Sequence, residues 1–247
     1  MITALGFMLL NLISYYLAFK RGPFWGLFAY INIYFNAPSS LLNWWVDYLP
    51  FNRWSLLTSA VLLLSLLIHK KSLSNHKFVN TKWVYAFFLL SAVIAFTSAI
   101  DKEDAYHFLY ILFTYCLIIY IMIRSIKNEA QLRLFFISIV LLAGHLGLEA
   151  LLNGKRVNDR LEMIGSGDAY GSNEFSLLLA AIIPLVFVFI KNGKRIERLI
   201  ALCSLPLILN AFILCNSRGS AAAFVGGVII SVIFVADKQI KKGMVIL

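Results

Sequence analysis

The chain has 247 residues, of which 61% are hydrophobic and 14% charged, against about 45–50% and about 25% in ordinary soluble domains. A water-soluble globule of this size has nowhere to hide so much apolar surface, whereas a bilayer accepts it. The net charge of +10 is of the size a nucleic-acid binder carries, but the charges are placed in loops between apolar runs, which argues for a topology signal and against nucleic acid.

A helix that crosses a bilayer needs about 20 apolar residues. In chain order the candidates are Ile2–Phe19, Phe24–Leu42, Phe51–Ile68, Trp83–Ile100, His107–Ile123, Leu132–Leu152, Asn173–Ile190, Leu199–Cys215 and Ser220–Ala236. The first is no cleaved leader, since no Lys or Arg precedes it and no small-residue cleavage site follows. The second is interrupted by Asn32, Asn36 and Pro38 and reads as a short or re-entrant helix. The connections are short, so no soluble domain is inserted. The expected fold is all-α: a polytopic transmembrane bundle of about nine spans, with residues 1–247 as a single transmembrane domain. The apolar start Met244–Leu247 reads as the beginning of a further helix, which makes the chain the N-terminal portion of a longer bundle.

Alternate loops then fall on opposite sides. One side collects Lys20 and Arg21; Lys70, Lys71, Lys77 and Lys82; Arg124, Lys127 and Arg133; Lys191, Lys194, Arg195 and Arg198; and Lys238, Lys241 and Lys242. That is 16 of the 22 basic residues, and the positive-inside rule makes it the cytoplasmic side. The N-terminus therefore faces outward and the C-terminus inward. Trp25, Trp44, Trp45, Trp54 and Trp83 fall near span ends, as an interfacial belt would. Cys116, Cys203 and Cys215 lie in apolar runs and read as packing residues, with neither disulfide nor metal spacing.

Three outer features carry chemistry. The loop Asn153–Ser172 holds Lys155, Arg156 and Arg160, then the run Gly165-Ser166-Gly167-Asp168-Ala169-Tyr170-Gly171-Ser172-Asn173-Glu174. Cations on the side that should lack them fit either an anionic ligand, held by planar arginine forks and glycine backbone, or local pairing with Asp159, Glu162 and Asp168. The turn Asn216-Ser217-Arg218-Gly219 holds Arg218 at the boundary, as a ligand contact or as a snorkelling helix-end arginine. Gly219, Ala223 and Gly227 form a small-residue stripe that reads as helix packing. On the sixth span, His145 and Glu149 share one face at four-residue spacing. They are candidate proton-transfer groups, with a buried, hydrogen-bonded histidine as the plain alternative. No nucleotide-binding glycine motif, zinc spacing or nucleophile elbow is present.

Arg160, then Gly171-Ser172-Asn173-Glu174-Phe175-Ser176 opening a helix that contains Pro184, then Ser217-Arg218-Gly219 after the next helix, together resemble the O-antigen ligase and O-antigen polymerase superfamily. Gly22-Pro23-Phe24-Trp25-Gly26 through Asn36-Ala37-Pro38 resembles its O-glycosylation ligase-like branch, on aromatic composition. Within the motif region, 155–236, the specific match covers about Arg160–Ala223, with Ser172 where the family often has proline.

The resemblance implies a metal- and cofactor-independent glycosyltransferase of the bacterial cytoplasmic membrane. Its donor would be an undecaprenyl-diphosphate-linked glycan at the outer face, and its acceptor a glycan, lipid or protein. By motif, Arg218 and Arg160 are diphosphate contacts and Asn173 a turn residue; Arg156 joins them as a neighbouring cation. The family's histidine base belongs to a later loop that this chain does not contain. Among the residues present, His145, Glu149, His107, Asp168 and Glu174 are the available bases, and His145 with Glu149 is the expected catalytic pair. A flippase for an anionic lipid-linked substrate, or a non-catalytic membrane partner in an envelope polysaccharide system, are the other readings.

Overall fold

The structure, a computed structural model, describes residues 2–38, 44–51, 53–73, 81–157, 159–162, 164, 169 and 171–229. The class is all-α. The helices are α1 (Ile2–Arg21), α2 (Gly26–Phe35), α3 (Trp54–Ile68), α4 (Thr81–Thr97), α5 (Lys102–Ser125), α6 (Glu129–Asn153), α7 (Ser172–Asn192), α8 (Arg195–Leu214) and α9 (Arg218–Ile229). Four of them, α5 to α8, are long and apolar enough to cross a membrane, while α3, α4 and α9 are apolar but shorter. Large apolar side chains such as Trp83, Phe87, Leu90 and Ile94 on α4 are exposed, which is the surface of a protein that sits in lipid.

The second stretch forms a short helix, as the Asn32, Asn36 and Pro38 that interrupt it predict. A one-turn 3-10 helix, Pro23–Trp25, leads into α2, which has 10 residues. At 1.5 Å per residue α2 is about 15 Å long, half the hydrocarbon thickness of about 30 Å. Asn36 Nδ2 donates to Asn32 Oδ1 at 3.0 Å, one turn back, where the helix stops.

The chain forms two compact units. In the unit of residues 9–30 and 53–134, α1 lies beside α3. Tyr15 Oη and Thr58 Oγ1 share a buried hydrogen bond of 2.6 Å, Ser65 Oγ donates to Ala18 O at 2.6 Å, and His69 Nε2 lies 2.8 Å from Phe19 O. The partners rise together along both helices, so α1 and α3 run parallel. Between apolar helices, where lipid is as apolar as leucine, such bonds contribute about 0.6–2 kcal/mol each. The chain leaves α1 at Gly22, whose φ of 122° is a left-handed conformation that glycine adopts without strain. Pro23 then sets the first position of the 3-10 turn. A Cβ at Gly26 would stand 2.8 Å from Leu62 Cδ2, so this turn closes directly onto α3.

In the same unit α4 and α5 form an antiparallel pair, with Phe88 on Phe113 at 6.1 Å and Phe96 on Tyr106 at 5.5 Å. Asp101 caps α5 by accepting from the backbone N–H groups of Glu103 and Asp104, and these two acids sit at the positive end of the helix dipole. Asn128 Oδ1 accepts from Gln131 N, while Gln131 Oε1 accepts from Lys127 N, a reciprocal cap that starts α6.

The other unit comprises residues 1–8, 31–52 and 135–247. Its core is the meeting of α6, α7 and α8. Buried residues recur at helical spacing: Val140, Ala143, Gly147 and Ala150 on α6; Phe175, Leu179, Ile183 and Val186 on α7; Ala201, Ser204, Ile208 and Ala211 on α8. A Cβ at Gly144 would stand 2.5 Å from Ser204 Oγ, and one at Gly147 would stand 2.6 Å from the Leu207 backbone. These two glycines let α6 and α8 touch, and their rising order makes the helices parallel. The small-residue contact therefore belongs to α6. For the expected stripe on α9, nothing among the described residues lies within 4 Å of a Cβ placed at Gly219 or Gly227.

Further differences from the sequence reading are local. Trp45 and Trp54 are buried, so these two indoles pack inside the protein where an interfacial belt was expected. Cys116 and Cys215 are buried as expected, but Cys203 is exposed. Lys77 and residues 230–247, including the latter part of the ninth stretch, lie outside the described residues.

Candidate functional site

After α6 the chain makes an element that the all-helical reading lacks. Lys155–Val157 (β1) and Arg160–Glu162 (β2) pair antiparallel, with Lys155 opposite Glu162 and Val157 opposite Arg160. Between the strands Asp159 has φ of 60°, the left-handed value that tight hairpins require and that Asp tolerates. Asn-Asp between Val157 and Arg160 is the signal from which this hairpin was legible. In β2, Leu161 is buried in the core cluster while Arg160 and Glu162, on the other face of the strand, are half-buried. Arg156 and Lys155 are exposed.

Glu162 ties the hairpin to α7: Ser172 Oγ donates to Glu162 Oε1 at 3.0 Å. Gly171 is the N-cap of α7, and Glu174 folds its carboxylate back over that position. Arg160 and Glu162 thus lie on a strand face that reaches the start of α7. Residues Gly165, Ser166, Gly167, Asp168 and Tyr170 of the glycine-rich run lie outside the described residues.

The start of α7 is joined to the start of α9. Ser217 Oγ donates to Asn173 Oδ1 at 2.9 Å. Ser176 Oγ donates to Ser220 Oγ at 2.5 Å in a buried bond, and Ser220 Oγ donates to Asn173 O at 3.3 Å. Ser217 also caps α9, lying 3.4 Å from Ser220 N and 3.0 Å from Ser220 Oγ. The chain reaches this cap through Asn216, which takes φ of 46° and ends α8. The sequence reading named Asn173 and Arg218. It missed Ser176 and Ser220, whose signal was present: two serines set three residues after Asn173 and Ser217 on helices otherwise apolar.

Arg218 is the first residue of α9 and is exposed. Its guanidinium therefore projects from a turn that four hydrogen-bonding side chains hold against the α7 N-terminus. Two helices begin here, and helix starts present unsatisfied N–H groups and the positive end of the dipole. The chemistry such a place suits is the holding of an oxyanion.

His145 and Glu149 meet. His145 Nε2 lies 3.9 Å from Glu149 Oε1, with both side chains about two-fifths exposed (42% and 40%). Glu149 Oε2 accepts from Asn153 Nδ2 at 2.8 Å, which makes a ladder at four-residue steps along α6. Nδ1 of His145 is buried and has no hydrogen-bond partner among the described residues. At 3.9 Å the pair is in ion-pair range and beyond hydrogen-bond distance. His107 is exposed in the first turns of α5, in the other unit, and Glu174 is turned onto its own helix cap. Among the described residues no three His, Cys, Asp or Glu side chains gather as a metal site. No protein-family model, curated protein or solved structure matches the chain.

Proposed function

We propose that this protein transfers or polymerises a lipid-diphosphate-linked glycan at the outer face of a bacterial cytoplasmic membrane. In this reading about nine segments cross or enter the bilayer, the N-terminus is outside and the ends of α1, α3 and α5 are cytoplasmic. The parallel α1–α3 pair supports that parity, since the 2.8 Å approach of His69 to Phe19 O brings Lys20, Arg21, Lys70 and Lys71 to one end. The observation that carries the functional reading is the Asn173–Ser217 hydrogen bond of 2.9 Å, across 44 positions. It joins the two segments whose order and spacing resemble the ligase and polymerase superfamily, beside an exposed arginine.

Attack of an acceptor hydroxyl on the anomeric carbon leaves negative charge on the departing diphosphate. Arg218 holds that charge, with Arg160 from the hairpin as a further cation, and Asn173 fixes the turn that presents Arg218; Arg156, expected to join them, is paired opposite Leu161 on the other face of the hairpin. His145, with Glu149 near it on the same helix face, takes the hydroxyl proton. The test is Arg218→Lys and Arg218→Ala in full-length protein, reconstituted with a lipid-diphosphate glycan donor. Lysine keeps the charge but loses the planar fork, so both variants fall by about 10²-fold or more in rate at unchanged protein abundance. Near-normal transfer by Arg218→Lys overturns the assignment.

A further inference from the structure

We propose that Ser217 is a positioning residue: its hydroxyl turns the Asn173 amide so that Nδ2 is presented beside the Arg218 turn as a second donor to the substrate's diphosphate. The inference rests on the transfer reading above and gives Asn173 a role beyond the shape of its turn. Ser217 Oγ donates to Asn173 Oδ1 at 2.9 Å. That bond occupies the side-chain oxygen and decides which end of the amide is left for a ligand. Asn173 is exposed, and its Nδ2 takes no hydrogen bond among the described residues.

The hydroxyl that sets the amide is itself held from behind. Ser176 Oγ donates to Ser220 Oγ at 2.5 Å, Ser220 Oγ donates to Asn173 O at 3.3 Å, and Ser217 Oγ donates to Asn173 Oδ1. Each of the three hydroxyl protons is thereby used once, and both oxygens of Asn173 accept. Ser176 and Ser220 are 0% and 2% exposed, so water does not compete for these bonds, and Ser220 Oγ lies 3.0 Å from Ser217 Oγ. The carboxylates at this place are already engaged: Glu162 accepts from Ser172, and Glu174 is folded over Gly171. A neutral donor held in place before charge develops on the departing diphosphate needs no reorganisation when it does.

Aspartate separates this role from that of a turn residue. Asn173 is the second residue of α7, where the helix dipole favours an acid, and aspartate keeps the oxygen that accepts from Ser217. A residue that serves the turn alone loses nothing by the change, whereas the Nδ2 donor is replaced by an anionic oxygen.

The experiment uses full-length protein, purified in mild detergent and offered undecaprenyl diphosphate or undecaprenol, which share a chain and differ in the phosphates. Retained lipid is counted by native mass spectrometry. The unaltered protein retains the diphosphate in preference to the alcohol. Asn173→Asp lowers that preference by about ten-fold or more, the worth of one hydrogen bond to a charged group, while its melting temperature stays level or rises. Ser217→Ala lowers the preference as well, because the amide is then free to turn, and Ser217→Thr, which keeps the hydroxyl, restores it. An Asn173→Asp variant with its preference intact, where Arg218→Ala has lost it, overturns the proposal and leaves the transfer reading standing. A melting temperature that falls in step with the preference returns Asn173 to the turn and overturns the proposal too. Equal retention of the two lipids by the unaltered protein overturns the proposal together with the reading on which it rests.

Discussion

Gly147→Ala adds one methyl group directly against the backbone of α8. That methyl carbon would stand 2.6 Å from both C and O of Leu207 and 3.0 Å from Ile208 N, where ordinary contact begins at 3.4 Å. The obstacle is helix backbone, which cannot rotate aside as a side chain can. α6 and α8 must separate by almost an ångström, and a gap of about 0.5–1 Å already forfeits a quarter to a half of the dispersion attraction of each pair it opens. Overpacking of this kind costs about 1–3 kcal/mol, and 1 kcal/mol shifts the melting temperature of a chain of this size by about 2–4 °C. The apparent Tm of the detergent-solubilised protein should therefore fall by about 2–12 °C. Gly6→Ala is the control: it too is helical, but nothing lies within 4 Å of its added carbon, so alanine's helix propensity makes it neutral or slightly stabilising. A Gly147→Ala protein that melts with the Gly6→Ala protein would refute the direct α6–α8 contact.

Three other outcomes follow from the geometry. With Cys203 replaced by serine, cysteines at Lys71 and Lys155 should differ in labelling by an impermeant thiol reagent on intact cells; equal labelling removes the proposed orientation. Ser217→Ala and Asn173→Ala each lose the same 2.9 Å bond, worth about 0.5–1.5 kcal/mol, so the double variant should melt no lower than the worse single; additive losses would show that the two residues act separately. His145→Gln should abolish glycan transfer while leaving the amount of protein in membranes unchanged, and loss of the protein from membranes would return His145 to a packing role.

The all-α class was legible because long apolar runs have few other solutions. The candidate residues were legible as well, since charge and amides are conspicuous against such a background. The shortness of α2 was legible too, from the Asn32, Asn36 and Pro38 that interrupt Phe24–Leu42. Two things were not. The pairing of α6 with α8 turns on Gly144 and Gly147, but the sequence offered Gly219, Ala223 and Gly227 with an equally good spacing. Small-residue patterns report where helices are able to approach, not which partner arrives. The hairpin was overlooked because the charges of Lys155, Arg156 and Arg160 drew the reading toward a ligand and away from the Asn-Asp pair that the sequence sets between them.

The side-by-side bonds of α1 and α3 have a consequence for how the protein is made. Ser65 and the carbonyl of Ala18 are 47 positions apart, and Tyr15 and Thr58 are 43 apart. A ribosome adding about 5–20 residues per second needs about two to ten seconds to supply the second partner after the first. During that interval the Tyr15 hydroxyl, whose partner is not yet synthesised, has reason to stay near the membrane surface. The first helix is therefore expected to enter shallowly or wait beside the insertion machinery, and to settle at full depth only when the third emerges to meet it.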